Sequence, residues 1–188
     1  QAMTPEIVPP EAEAHLDWRG LLAAIEAGHS LKRPDIKDLF VYRGQDTLLD
    51  RAAWIDGLGA LVKVATVVPG NAAAGLPTIH GAVTLYDDKT GILTALVDFH
   101  LVTKWKTAGD SLLAASKLAR PDSRRILLVG AGTVARSMVQ AYRTLFPDAE
   151  FRVWSRHVIT ASRLAEPLAL GIVRDLQDGV EWADVICT

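Results

Sequence analysis

The sequence predicts an α/β chain in two parts: an α+β region, followed by the opening of a doubly wound parallel sheet. Three observations predict it. The apolar run Ile126-Leu127-Leu128-Val129 ends in Gly130-Ala131-Gly132-Thr133-Val134-Ala135, and a helical pattern starts at once. After that helix and the Pro147-Asp148 break comes a second strand, residues 151–154, which completes a strand-helix-strand unit with parallel strands. Upstream, strand patterns are joined by turns instead, as where Asp87-Asp88-Lys89-Thr90-Gly91 separates residues 82–86 from 92–97, the signature of an antiparallel hairpin.

The pattern changes near Pro121, so the expected domains are residues 4–120 and 121–188. Gln1-Ala2 ahead of Met3 reads as an expression remnant and is set aside. Asp17 can cap a helix from residue 18 to about 27, with Leu21, Leu22 and Ile25 on its buried stripe. Strands are expected at 40–42, 61–68, 82–86 and 92–97, with Pro69-Gly70-Asn71 closing the second of these. Thr107 and Asp110 have capping-box spacing, which starts a helix that runs through Leu112, Leu113 and Leu118 to a stop at Arg120-Pro121. On that reading Lys106 stands just outside a helix N-terminus, where it suits a bound carboxylate or phosphate, or is an exposed lysine before a cap. Two further short strands are expected at 171–173 and 183–188. A doubly wound domain continues to about six strands, and an apolar terminal strand leaves an open edge. The expectation is therefore a fragment, or the ordered part, of a longer protein.

The glycine-rich turn carries the most chemistry. Gly130 allows the tight turn, Gly132 lets a pyrophosphate approach the backbone, and small Ala135 lets helix and strand pack closely. The helix behind it directs free N–H groups at the phosphates. A Rossmann-type dinucleotide site follows, incomplete in this chain, with a plain structural turn as the alternative. About 20 residues on, an NAD site places Asp or Glu on the ribose. This sequence has Ser155-Arg156 there. Arg156 can grip a 2′-phosphate in bidentate fashion and Ser155 does not repel it, so NADP(H) is favoured over NAD(H). A solvated strand-end arginine is the alternative.

Composition narrows the class. The formal net charge of -2 and the lack of basic runs argue against nucleic acid. The single cysteine, Cys187, excludes an internal disulfide and fits a cytoplasmic setting. No apolar run approaches the roughly 20 residues that span a bilayer, so no membrane partner is expected. No His, Cys, Asp or Glu cluster has metal spacing, and no metal is expected. Lys63 interrupts an apolar strand and shares a face with Leu61, Ala65 and Val67. If that face is buried, the ammonium needs a partner or a lowered pKa, as catalytic lysines do; if it is solvated, Lys63 is an outward strand residue.

Read together, several segments resemble the ornithine cyclodeaminase/mu-crystallin family. They are residues 62–71, Gly75-Leu76-Pro77-Thr78, residues 86–91, Trp105-Lys106-Thr107-Ala108, Leu118-Ala119-Arg120 and Val129-Gly130-Ala131-Gly132, in that order and spacing. The resemblance covers roughly residues 17 to 188 and implies a Rossmann domain beside a substrate-binding and dimerisation domain, in a homodimer. It makes Lys63 the catalytic lysine on the substrate carboxylate, with Lys106 and Arg43 as further substrate-binding residues, Arg51 being the other candidate for the upstream arginine. Thr78, Lys106, Thr107, Gly130, Gly132, Thr133, Val134, Ser155 and Arg156 fall at cofactor-contacting positions. The family places arginine where this chain has Lys106, and its acid/base aspartate beyond Thr188. The implied activity is NADP(H)-dependent interconversion of an α-imino acid, cyclic or not, with an α-amino acid. Ornithine cyclodeamination with a recycled cofactor is the alternative, and a non-catalytic NADPH-binding crystallin-like protein the second.

Overall fold

The structure, a computed structural model, describes residues 4–188; the reading of Gln1-Ala2 lies outside them. Contacts divide the chain into two compact units. One runs up to Leu16 and resumes over Ala27–Thr103; the other combines Asp17–Glu26 with Lys104–Thr188. The changeover between Thr103 and Lys104 falls within the first turns of the long helix that spans Phe99–Leu118, and not at Pro121.

The first unit is built on a six-stranded sheet. Its strands are β1 (Glu6–Val8), β2 (Asp35–Arg43), β3 (Asp46–Ile55), β4 (Gly59–Val67), β5 (Ile79–Tyr86) and β6 (Leu93–Asp98), in the order β1-β6-β5-β4-β3-β2. From β2 to β6 every pairing is antiparallel, and β1 lies parallel to β6 on the edge. The β5–β6 hairpin is the one expected, its turn pinned by Asp87, whose carboxylate accepts from Thr90 Oγ1 at 2.6 Å and Thr90 N at 2.8 Å. The pattern missed β1 and β3. In β3 the adjacent Asp50 and Arg51 put a charge on each face, which erases the alternation a strand is recognised by.

The second unit opens with most of α1 (Trp18–His29), capped by Asp17, whose Oδ1 accepts from Gly20 N at 2.8 Å. The next helix, α2 (Phe99–Leu118), corrects the expected one. Its cap is Asp98, which accepts from Leu101 N at 2.7 Å. Thr107 lies inside the helix, so neither Thr107 nor Asp110 caps it, and Lys106 is not at an N-terminus. Lys106 instead pairs with Asp110 one turn on, at 2.5 Å. The cause is a continuous apolar stripe, Leu101, Trp105, Ala108, Leu112 and Ala115, all buried; helical spacing of core residues outweighs a local capping signal. Gly109 lets α1 come close, since a Cβ there would lie 2.7 Å from Leu21 Cδ2 and 3.0 Å from Ile25 Cδ1. Trp18 stacks on Trp105 with ring centroids 4.0 Å apart, and Lys117 pairs with Glu26 at 2.5 Å.

The remainder alternates strictly: β7 (Arg125–Val129), α3 (Thr133–Leu145), β8 (Glu150–Trp154), α4 (Val158–Leu168), β9 (Gly171–Ile172), α5 (Leu176–Trp182) and β10 (Val185–Cys187). The strands form a parallel sheet in the order β10-β7-β8-β9, covered by the core residues Leu112, Ile126, Leu128, Val139, Val153 and Leu164. Helix α5, capped by Asp175, was not foreseen. Asp184 fixes the start of β10 to the start of β7: its carboxylate accepts from Arg125 Nη2 at 2.8 Å, from the backbone N–H groups of Arg124 at 2.9 Å and Arg125 at 3.0 Å, and from Arg120 Nη2 at 3.1 Å. The Arg125 guanidinium first, then these N–H groups, hold the carboxyl well below the usual carboxylate range.

Two stability outcomes are expected. Leu112→Ala removes a side chain with no exposure and should cost about 2–5 kcal/mol in urea unfolding. A carboxyl whose pKa is depressed on folding stabilises above its unfolded value, and that contribution is lost as pH falls through the folded one. Asp184→Asn should therefore lower Tm at neutral pH and flatten its fall on acidification, both read by thermal melts across pH.

Candidate functional site

In the sheet unit, register settles the surroundings of Lys63. Directly paired residues share a face, and one row runs Asp38, Arg51, Lys63, Val83, Val97, Val8 from β2 to β1. Lys63 is half-buried. On its inner side Val83 and Ala65 are buried, and Phe99 covers Gly81. On its outer side Arg51 makes a bidentate pair with Asp38, Nε to Oδ1 at 2.7 Å and Nη2 to Oδ2 at 2.6 Å. Hydrogen bonds from Arg51, then its charge and that of Lys63, hold the Asp38 carboxyl below its ordinary value. Among the described residues Lys63 has no carboxylate in ion-pair contact, and Arg51 keeps its Nη1 edge open. An ammonium and a fixed guanidinium side by side suit a carboxylate ligand.

Arg43 is placed otherwise. It pairs with Asp46 across the β2–β3 turn at 2.9 Å, with its side chain 85% exposed. Its register puts it on the face opposite Lys63, so of the two candidate arginines the structure brings Arg51, not Arg43, beside the lysine. Thr78 lies at the end of the loop between β4 and β5, its carbonyl accepting from Val68 N at 2.7 Å. That loop is braced by Asn71 Nδ2, which donates to Pro77 O at 3.0 Å.

In the other unit the glycine turn joins β7 to α3, with Gly132 as the N-cap of the helix. Gly130 has φ 114°, a conformation that only glycine adopts freely. A Cβ built on Gly130 or Gly132 meets nothing within 4 Å, so the space over the turn is open to a ligand. Strands β7 and β8 end in step, and Gly130 N donates to Trp154 O at 2.8 Å. This delivers half-buried Ser155 and exposed Arg156 beside the turn, the position where a ribose is read in such folds. Strand order reverses at β7, whose neighbours are β8 and β10. At the carboxyl ends of β7 and β10 lies a cavity of about 440 Å³, whose lining includes Thr107, Gly130, Gly132, Thr133, Val134 and Cys187. Ligands of open α/β sheets bind at such a reversal, and the donor set fits a dinucleotide: helix N–H groups for the pyrophosphate, and hydroxyl and guanidinium for a phosphorylated ribose.

The cavity lining includes no Asp, Glu, Lys, Arg or His. Cys187, 5% exposed, has its thiol pushed up by burial. Burial first, then Cys187, pushes the Tyr142 phenol well above its ordinary value, and that phenol lies 2.9 Å from Ser111 Oγ. Sequence reading missed Asp38, Cys187 and Thr188 as site residues. The expectation of a strand over residues 183–188 carried the signal for the last two, because its carboxyl end abuts the switch point. For Asp38 no signal existed before pairing register was known.

The second unit has the architecture of a dinucleotide-binding α/β domain. The chain belongs to the ornithine cyclodeaminase/mu-crystallin family, whose model matches residues 55–188. It is 46% identical over 182 residues to a Delta(1)-pyrroline-2-carboxylate reductase of Paracoccus denitrificans, covering 94% of this chain and 58% of that relative. The fold is similar to that of the Thermococcus litoralis Delta(1)-pyrroline-2-carboxylate reductase, solved with NADH and L-proline (TM-score 0.81, 22% identity, 96% of this chain and 60% of that one). It is also similar to the iminosuccinate reductase of Paracoccus denitrificans, solved with NAD+ (TM-score 0.82, 21% identity, 97% and 60%).

Gly130→Ala should cost about 1–3 kcal/mol through backbone strain. Gly132→Val should lower stability in urea by only about 1 kcal/mol, the cost of a poorer N-cap, while abolishing dinucleotide binding, because its side chain enters the open space over the turn; calorimetric titration of the folded variant checks this.

Proposed function

We propose that the protein is an NADP(H)-dependent oxidoreductase that interconverts a cyclic α-imino acid and the corresponding α-amino acid by hydride transfer. The observation that carries the redox reading is the glycine turn opening into the cavity at the β7–β10 reversal, with Ser155 and Arg156 beside it. The cyclic-imine substrate class is supported by the 46% identity to a Delta(1)-pyrroline-2-carboxylate reductase. When bound, a nicotinamide would supply the hydride for the imine carbon, with the nitrogen gaining a proton from solvent, or would accept the hydride in the reverse direction.

The chain's own residues bind and orient. Lys63 and Arg51 hold the substrate carboxylate, which removes orientational entropy from the transfer. As neighbouring cations of the row they also stabilise that carboxylate by charge-assisted hydrogen bonds. Gly130, Gly132, Thr133 and Val134 hold the pyrophosphate, and Thr107 borders it. Thr78 and Lys106 enter as cofactor contacts on the family resemblance, Lys106 with its charge already shared with Asp110. Ser155 and Arg156 take the 2′-phosphate. The face of the sheet opposite Lys63 exposes Ile7, Leu39, Val41, Leu48, Trp54 and Leu96, apolar area that a homodimer would cover.

With Delta(1)-pyrroline-2-carboxylate, NADPH should be consumed in preference to NADH, and Lys63→Ala should abolish turnover. Ser155→Asp with Arg156→Ala should move the cofactor preference toward NADH by roughly tenfold or more, the contribution of one charge-assisted pair. Proline and ammonia formed from ornithine with catalytic NAD, without imine reduction, would establish the cyclodeaminase reading instead. Leu39→Glu with Leu48→Glu should convert a dimer to monomers in analytical ultracentrifugation.

A further inference from the structure

Three charged side chains occupy neighbouring positions in the Lys63 row, and two of them cancel. Arg51 and Asp38 are joined by two short hydrogen bonds, while Lys63, opposite Arg51 on the next strand, has no carboxylate in ion-pair contact among the described residues. The row therefore presents one net positive charge. Towards β5 it continues as Val83, 1% exposed, and Val97, which offer a second anion neither charge nor hydrogen bonds.

Resting on the carboxylate-binding reading above, we propose that Asp38 is a specificity-determining residue, which by neutralising Arg51 sets the row to accept substrates with a single carboxylate and to reject dicarboxylates. A monocarboxylate on Lys63 and Arg51 balances the row. A second carboxylate would face either the apolar Val83 side, where it is desolvated without a partner, or the Asp38 side, where it meets a like charge. Discrimination of this kind comes from a built-in repulsion as much as from attraction. Asp38 also acts on geometry: by taking Nε and Nη2 of Arg51 it fixes the guanidinium and leaves Nη1 outside the pair. Substrates differing in charge are thus separated on this face by a residue whose side-chain hydrogen bonds, among the described residues, go to Arg51.

The test measures binding directly, so it does not depend on turnover. Wild-type protein, Asp38→Asn and Asp38→Glu are titrated calorimetrically with pyrrole-2-carboxylate and pyrrole-2,5-dicarboxylate, after circular dichroism confirms that each variant is folded. Wild type should prefer the monocarboxylate. Asp38→Asn, isosteric but uncharged, should shift the affinity ratio toward the dicarboxylate by about tenfold, the effect of one charge at neighbouring-strand distance in a half-exposed site, and Asp38→Glu should restore the wild-type ratio. An unchanged ratio in Asp38→Asn, or no binding of either anion by wild type, overturns the proposal. If the ratio shifts as stated while wild type reduces no imino acid, the charge-selection role stands and the reductase reading fails.

Discussion

The reversal of strand order at β7 is the constraint on which the C-terminal unit depends. Parallel pairing with β8 on one side and β10 on the other brings several carboxyl ends to one edge of the sheet. Helix α3 starts there behind the glycine turn, and the cavity over Gly130 and Gly132 lies beside its start. Asp184 maintains the β7–β10 alignment from the opposite end, where Arg125 and two backbone N–H groups converge on one carboxylate.

The N-terminal sheet depends on an equally strict rule, the two-residue period of side-chain direction. Its register puts Lys63 with Arg51 and Asp38 on one face, and places Arg43 and the exposed apolar row of Leu39, Val41 and Leu48 on the other. A slip of one residue would exchange the two sets. Pairing geometry leaves Lys63 backed by Val83 and Ala65 and facing a partly solvated guanidinium.

Much of this was legible in the chain itself. Gly130 and Gly132 after an apolar run, with a strand and Ser155-Arg156 downstream, specify their own local structure, because a tight turn, a helix start and a strand end are all short-range events. Asp17 as a helix cap and Asp87 in the hairpin turn were readable for the same reason. The helix start at Thr107 was misread because a capping box is also a local signal, and here the buried stripe from Leu101 to Ala115 overrode it. Strand β3 was invisible because Asp50 and Arg51 break its alternation, although each is accommodated once neighbours are in place.

The sequence by itself determined the α/β class, the dinucleotide turn, the basic strand end and the lysine in an apolar strand, all consequences of residues close together in the chain. Only tertiary structure decided which arginine stands beside Lys63, that Asp38 neutralises it, that Cys187 and Thr188 border the cavity, and that Lys106 is paired within a helix. Each of these depends on strand register or helix packing between segments far apart in sequence, and no local pattern encodes which residue will face which across such a distance.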